Sequence, residues 1–146
     1  MRIMALDIGQ KRIGVAISDE LRITAQGVKT IRRDSKEDEF DQLLALISQY
    51  GVKEIVVGLP VRMDGSLGKQ AEFVLSWIEE LKRRVGLPVI TWDERLSTLE
   101  ADRTLLEADL SRSKRRAVVD KLAAVLILQG YLQQLRGRGD ETPLSS

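Results

Sequence analysis

Hydrophobic positions change from short apolar runs in the first third of the chain to helical spacing further on. Residues 2–8, 12–18 and 26–31 are apolar runs bounded by turn residues, which predicts three strands. Gly9, Gln10 and Lys11 separate the first two runs, so we expect an antiparallel hairpin there. Residues 54–59 and 89–92 are two further apolar runs, each after a segment of helical spacing, and they predict two buried strands.

Apolar residues recur every three to four positions in the other segments, which is the spacing of an amphipathic helix. These segments cover residues 35–50, 71–81, 97–108 and 114–135. Gly51 and Gly86 follow the first two as helix ends, and Ser97 with Glu100 forms a capping box for the third. The order of elements therefore predicts an α/β fold, in which a mixed sheet carries helices on its faces.

The length of 146 residues suits one domain with a single core. We assign residues 1–136 to this domain and expect residues 137–146, GRGDETPLSS, to form a disordered polar tail. The first apolar run is too short for a signal peptide, and no run approaches a membrane span. We therefore expect a cytoplasmic protein without a membrane partner.

The composition limits the chemistry, because the chain contains neither histidine nor cysteine. This excludes disulfide-linked partners, zinc ribbons, thiol catalysis and hydrolase schemes that use a histidine base. Oxygen ligands remain, and they select hard cations such as Mg²⁺ or Mn²⁺. With 23 Lys and Arg against 22 Asp and Glu, there is no global basic excess, so any contact with nucleic acid has to be local.

Three acidic positions lie where regular elements would hold a carboxylate rigidly. Asp7 interrupts the apolar first strand, and the pair Asp93 and Glu94 directly follows the last strand. Neighbouring strands would bring these acids within reach of one pair of metal ions, which lie about 4 Å apart in such sites. Asp120 lies early in the final helix, where small residues three and four positions on let the helix approach the sheet.

Each acid also has a structural interpretation. Asp7 could bond the amides of the turn that follows it, and Asp120 could pair with a base on its own helix. Asp93 and Glu94 could simply form an exposed strand end before a helix cap. Asp93 and Glu94 point to opposite faces of an extended strand, so we expect only one of them to be a ligand. Glu94 is our choice, although a kink at the strand end would exchange their roles.

Basic residues cluster near the acids in the sequence. The segment SRSKRR precedes Asp120 by one to two helical turns, and two more bases lie at the first turn. We interpret them as a local surface for the phosphate backbone, although a solvated loop and helix start would need no ligand. The candidates for nucleic-acid binding are Lys11, Arg12, Arg95, Arg112, Lys114, Arg115 and Arg116.

Four blocks of sequence carry a family resemblance: DIGQKRIGVAISD at 7–19, GLPVRMDGSLGKQA at 58–71, DERLST at 93–98 and SRSKRRAVVDKLAAVLILQGYL at 111–132. In this order and spacing, they resemble the YqgF family, also called RuvX, over nearly the whole chain up to about residue 135. The resemblance implies an RNase H-like fold, with a five-stranded sheet made of an antiparallel meander and two parallel strands. It places the family's acidic positions on Asp7, Glu94 and Asp120. Gln10 departs from the residues more usual in the family, but it lies outside the acids.

By this resemblance we predict a metal-dependent nuclease that matures the 5′ end of the 16S ribosomal RNA precursor. Two Mg²⁺ or Mn²⁺ ions would be bound by Asp7, Glu94 and Asp120, with Asp7 bridging and full occupancy reached only with substrate. Asp93 is a possible fourth acid. The expected partner is nucleic acid, RNA rather than DNA, with the pre-ribosomal particle as a candidate.

Three other functions are compatible with this sequence. One is a resolvase of four-way DNA junctions, which some family members are described to be. Another is a noncatalytic RNA-binding factor of ribosome assembly, which would bind RNA regardless of chelator. The third is an actin-like phosphotransferase, which we disfavour because such enzymes close a nucleotide between two domains and only one fits here.

Overall fold

A computed structural model of the chain describes residues 1–96 and 112–141, and in the second range it describes the side chains of residues 119–137. In chain order the elements are β1 (Arg2–Ile8), β2 (Arg12–Ser18), β3 (Ala25–Arg32), α1 (Lys36–Tyr50), β4 (Val52–Leu59), α2 (Lys69–Arg84), β5 (Val89–Asp93), a 3-10 turn (Glu94–Leu96) and α3 (Arg112–Glu141). The helix predicted over residues 97–108 lies outside the described residues. Among the helices that are described, none has the length and apolar character needed to span a membrane.

The strands form one mixed sheet in the order β3-β2-β1-β4-β5. The first three are an antiparallel meander, while β4 runs parallel to β1 and β5 runs parallel to β4. Parallel neighbours need a crossover connection, and α2 provides it between β4 and β5. The predicted five-stranded mixed sheet is confirmed.

Local signals determine both ends of α1. The Ser35 hydroxyl accepts a hydrogen bond from the Asp38 amide at 3.1 Å, and three acidic residues occupy the first turn, where the helix dipole favours negative charge. Gly51 ends the helix with a φ of 64°. This left-handed conformation carries no steric penalty for glycine, so the sequence already indicated where the helix stops.

Alternate residues of each strand face opposite sides of the sheet and pack into two separate cores. On one side, Met4 and Leu6 of β1 pack with residues of α1 and α2. On the other side, Ile3 and Ala5 pack with α3. Helices therefore cover both faces, as predicted. By the same alternation, Asp7 belongs to the face covered by α3.

The final helix is longer than predicted, because α3 extends over Arg112–Glu141 rather than 114–135. It includes residues 137–141 of the segment that we assigned to the tail, and residues 142–146 lie outside the described residues. Glycine and polar residues disfavour a helix by local propensity. However, Ile127, Leu128 and Leu132 anchor the preceding turns in the core, and adding a residue to an existing helix is much easier than starting one.

Glycines on the sheet let α3 approach closely. A Cβ atom at Gly14 of β2 would overlap the backbone oxygen of Asp120. A Cβ atom at Gly58 of β4 would lie 2.5 Å from Ile127 Cδ1, and one at Gly27 of β3 would lie 3.2 Å from Lys121 Cβ. Glycine inside a strand often marks such an approach of another backbone. Helix α3 therefore packs against the sheet where side chains are missing.

We expect Gly14→Ala to lower the unfolding free energy by about 1–3 kcal/mol, the usual cost of overpacking a core. The added methyl group would force α3 away from the sheet at Asp120. Urea denaturation measures the loss. Gly86→Ala is the control, because nothing lies within 4 Å of a Cβ atom at that position. Equal unfolding midpoints in the two variants would contradict the close packing of α3.

Candidate active site

A cavity of about 580 Å³ opens where β1 and β4 end. Asp7, Glu94 and Asp120 all line it, although they come from distant parts of the chain. The turn between β1 and β2 forms another part of the wall. The structure thus brings the three predicted acids to one place.

Asp7 lies between two glycines of the neighbouring strands. It is opposite Gly14 on β2, and on β4 the partner of Leu6 is Val57, which precedes Gly58. Neither glycine has a side chain that could cover the Asp7 carboxylate. Asp7 is only 8% exposed, so the surrounding atoms restrict where its side chain can lie. The missing glycine side chains leave room for other elements of the chain to approach it.

Glu94 reaches the same space from β5. Gly58 pairs with Trp92 on β5, and Glu94 is the first residue of the 3-10 turn that follows this strand. The Glu94 Oε1 atom lies 2.9 Å from where a Cβ atom of residue 58 would be. A larger residue at position 58 would therefore displace this carboxylate.

Asp93 does not line the cavity with Glu94 but pairs with Arg95. The Arg95 Nε and Nη2 atoms donate to Asp93 Oδ2 at 3.0 and 2.7 Å, and the Arg95 amide donates to Asp93 Oδ1 at 2.9 Å. These bonds from the Arg95 guanidinium are the main reason that the pKa of Asp93 lies below its ordinary value. Glu94 therefore lines the cavity, and Asp93 does not. Arg95, which was predicted to contact nucleic acid, binds the Asp93 carboxylate in this structure.

Asp120 pairs with a base from the sheet. The Arg12 Nε atom donates to Asp120 Oδ2 at 2.6 Å, and the two side chains are 29% and 19% exposed. This contact differs from the intrahelical pair that the sequence left open. Positive charge at this position reduces the repulsion among the three acids that share the cavity. Arg12 is thus part of the site in this structure.

The acids suit a hard cation by their chemistry. Three carboxylates line one cavity, and the chain has no softer histidine or cysteine ligand. Among the described side chains, those of residues 1–96 and 119–137, however, no three acidic groups lie closely enough together to hold a metal ion. One carboxylate, that of Asp120, is engaged by Arg12 instead. A metal complex would therefore need this ion pair to rearrange.

The basic candidates are distributed around the cavity. Lys11 lines it and is exposed to solvent. Arg112, Lys114, Arg115 and Arg116 lie in the first turns of α3, directly before Asp120, and their side chains are outside the described residues. This placement puts a basic segment next to the acids along α3.

Several residues of the site were missed in the sequence. Gly14 and Gly58 shape the space around the acids, and a glycine within an apolar strand was an available signal for both. Pro60 and Gln70 also line the cavity. They reach it through the loop after β4 and the start of α2, and no sequence spacing predicts that placement.

The sheet order, the helices on both faces and the carboxylates at the strand ends define an RNase H-like protein. RuvC of Thermus thermophilus, solved in complex with a Holliday junction substrate, has the same fold with a TM-score of 0.54. The alignment covers 92% of this chain and 96% of RuvC, at 14% identity. At this identity the likeness concerns the fold alone.

The chain belongs to the RuvX family, whose model, described as Holliday junction resolvase, matches residues 1–134. A relative from Desulforamulus reducens is 54% identical over 132 residues, which cover 90% of this chain and 96% of the relative. A relative from Moorella thermoacetica is 56% identical over 139 residues, covering 95% and 99%. Both carry the name "Putative pre-16S rRNA nuclease". The family resemblance seen in the sequence is confirmed.

The pair of Asp93 and Arg95 leads to a prediction about pH. A lowered pKa in the folded state means that the pair adds stability above the unfolded pKa of Asp93, and that this stability is lost as the pH falls through the folded pKa. By NMR titration of its carboxyl carbon, Asp93 should have a pKa below 3.8, and Arg95→Gln should raise it. Arg84→Gln is the control, because it removes a different ion pair, that with Glu37. If the pKa of Asp93 were unchanged in Arg95→Gln, the pairing of these two side chains would be contradicted.

Proposed function

We propose that this protein is a divalent-metal-dependent nuclease that hydrolyses phosphodiester bonds in the precursor of 16S ribosomal RNA, acting in the cytoplasm on the pre-ribosomal particle. The observation that supports the proposal is that Asp7, Glu94 and Asp120, which come from three separate elements, all line one cavity. The name of the relatives supports RNA as the substrate, and the family description supports phosphodiester chemistry.

The three acids would hold the metal ions, because they are oxygen donors on a shared cavity wall. When bound, Mg²⁺ or Mn²⁺ supplies an activated water and stabilises negative charge at the phosphate, so no histidine base is required. Asp7 lies between Gly14 of β2, against which Asp120 packs, and β4, where Gly58 lies beside the Glu94 carboxylate, and this position suits a bridging role. Its burial keeps the carboxylate in a fixed orientation for that role.

Arg12 connects substrate binding to the acids. In the structure its guanidinium neutralises Asp120, and the same group has the geometry to bind a phosphate. A phosphate that took the place of the carboxylate on Arg12 would release Asp120 as a ligand. The acid site would then be completed by the arrival of the RNA backbone.

The remaining bases would hold the RNA beside the acids. Lys11 lies at the cavity wall, and the basic first turns of α3 precede Asp120 on the same helix. Without such positive charge, three carboxylates would repel a phosphate backbone. Contacts to the backbone carry little base information, which suits cleavage at a site chosen by RNA shape.

A second candidate function is resolution of four-way DNA junctions. The family description and the fold shared with RuvC favour it. A four-way junction has two-fold symmetry, so this activity would use a dimer with two equivalent sites. Both candidate functions would therefore use the same three acids, and they would differ only in the nucleic acid that is cleaved.

Cleavage of an end-labelled precursor RNA leader should require Mg²⁺ or Mn²⁺ and stop in EDTA. Asp7→Asn and Glu94→Gln should each lower the cleavage rate by about 100-fold or more, because each removes a carboxylate that would hold the metal ions. Asp93→Asn is the matched control: it changes the neighbouring acid, which pairs with Arg95 outside the cavity, and should retain cleavage.

A four-way DNA junction, tested in parallel, decides the substrate. Metal-dependent cutting of the RNA alone supports maturation of the ribosomal precursor, and cutting of the junction alone supports a resolvase. If neither is cut while RNA still binds in EDTA, the nuclease proposal fails and a noncatalytic RNA-binding factor takes its place.

A further inference from the structure

The sheet face opposite α3 carries a buried ion pair that the proposed chemistry does not use. The Arg33 Nε and Nη2 atoms donate to the two carboxylate oxygens of Glu39 at 2.9 and 3.1 Å. The side chains of Arg33 and Glu39 are only 9% and 2% exposed. Removing two charges from water is costly unless further hydrogen bonds satisfy both groups. The other hydrogen-bond partners of Arg33 and Glu39 therefore show which segments of the chain this ion pair connects.

Arg33 binds both ends of the turn between β1 and β2. Its Nη1 atom donates to the carbonyl oxygen of Gly9 at 2.8 Å, and its backbone amide donates to the carbonyl oxygen of Lys11 at 2.9 Å. The guanidinium also lies over the ring of Phe73 on α2, 5.0 Å from the ring centroid. Each nitrogen of the guanidinium thus has a partner. The side chain binds the turn at the Gly9 carbonyl group, while the bond to Lys11 is made by the backbone and does not depend on the side chain.

Two helices fix Glu39 in turn. The Trp77 indole on α2 donates to Glu39 Oε2 at 2.7 Å. Trp77 stacks on Phe40, the residue after Glu39 on α1, with 5.3 Å between the ring centroids. The helix pair therefore holds Glu39, Glu39 holds Arg33, and Arg33 holds the turn.

This turn is part of the cavity wall. Gly9, Gln10 and Lys11 line the cavity and follow Asp7 by two to four residues. A hydrogen bond from the Gly9 amide to the Arg12 carbonyl oxygen, at 2.9 Å, closes the turn. Lys11 at the cavity therefore belongs to a turn that the Arg33 guanidinium contacts at Gly9 from the opposite face of the sheet.

We propose that Arg33 is a positioning residue for substrate binding, which holds Lys11 where it contacts a phosphate of the RNA backbone. The inference rests on the proposed function, because there Lys11 binds phosphate. Lysine cannot replace Arg33 in this role, since one ammonium group lacks the planar fork that reaches Glu39 and Gly9 together.

The amides of the turn test the structural part of the inference without any activity. In Arg33→Lys, the NMR resonances of the Gly9, Gln10 and Lys11 amides should shift or broaden more than those of the rest of the sheet. The control is Arg84→Lys, because Arg84 also pairs with an acid of α1 and lies over an aromatic ring, 4.5 Å from its centroid, without touching the turn. Turn amides that are unmoved in Arg33→Lys would overturn the inference.

A milder variant covers the case in which Arg33→Lys does not fold. Trp77→Phe keeps an aromatic ring against Phe40 but removes the indole donor to Glu39. The same turn amides should shift, by less than in the arginine variant. Shifts confined to the two helices would show that the ion pair does not control the turn, and would overturn the inference.

RNA binding in EDTA tests the functional part. Lys11→Ala should reduce the slope of log binding constant against log salt concentration by about one, since one phosphate contact is lost. Arg33→Lys should reduce the slope by the same amount, and the double variant should reduce it no further. A general loss of stability would not give this pattern, and additive effects on the slope would overturn the role of Arg33 in positioning Lys11.

The two proposals fail in different ways. If the wild-type protein does not bind RNA, the proposed function fails, while the amide shifts still report whether Arg33 holds the turn. If RNA binds and is cut but Arg33→Lys leaves the salt slope unchanged, the nuclease stands and the positioning role is overturned.

Discussion

The candidate site depends on how closely α3 can approach the sheet. The Asp120 backbone oxygen occupies the space that a side chain on Gly14 would fill, and Gly14 is the partner of Asp7 across β1 and β2. Ala123 and Ala124 are fully buried and continue this close contact along the helix. Carboxylates repel one another, so their own interactions cannot assemble the cluster. Instead, α3 packs against glycines of the sheet, and this close packing brings the acids to one cavity.

The charges of the site are balanced locally rather than by the chain as a whole. Asp120 is paired with Arg12, and Asp93, next to Glu94, is paired with Arg95. The whole chain has a formal net charge of only +1. Pairing offsets part of the repulsion among acids that lie close together. Under the proposed function it also keeps Arg12 beside the phosphate backbone.

The cavity wall is supported from both faces of the sheet. On one face, α3 carries Asp120, and on the other, Glu39 and Arg33 hold the turn that follows Asp7. The buried ion pair suits this purpose because each of its groups needs several fixed partners, so a shift of the turn would leave a charge poorly solvated. The two cores thus share one edge of the sheet, and the geometry of the cavity depends on both.

Local rules made much of this structure readable from the sequence. Apolar runs, helical spacing and the Gly51 stop predicted the element order. The alternation of strand residues predicted that only one of Asp93 and Glu94 is a ligand, and Glu94 is the one that lines the cavity. The roles of the acids stay a prediction. The partners of Arg12 and Arg33 and the end of α3 were not predictable in this way. Hydrogen-bond spacing and side-chain alternation act between near neighbours along the chain. Ion pairs between remote segments form only after packing has set the distance between helix and sheet.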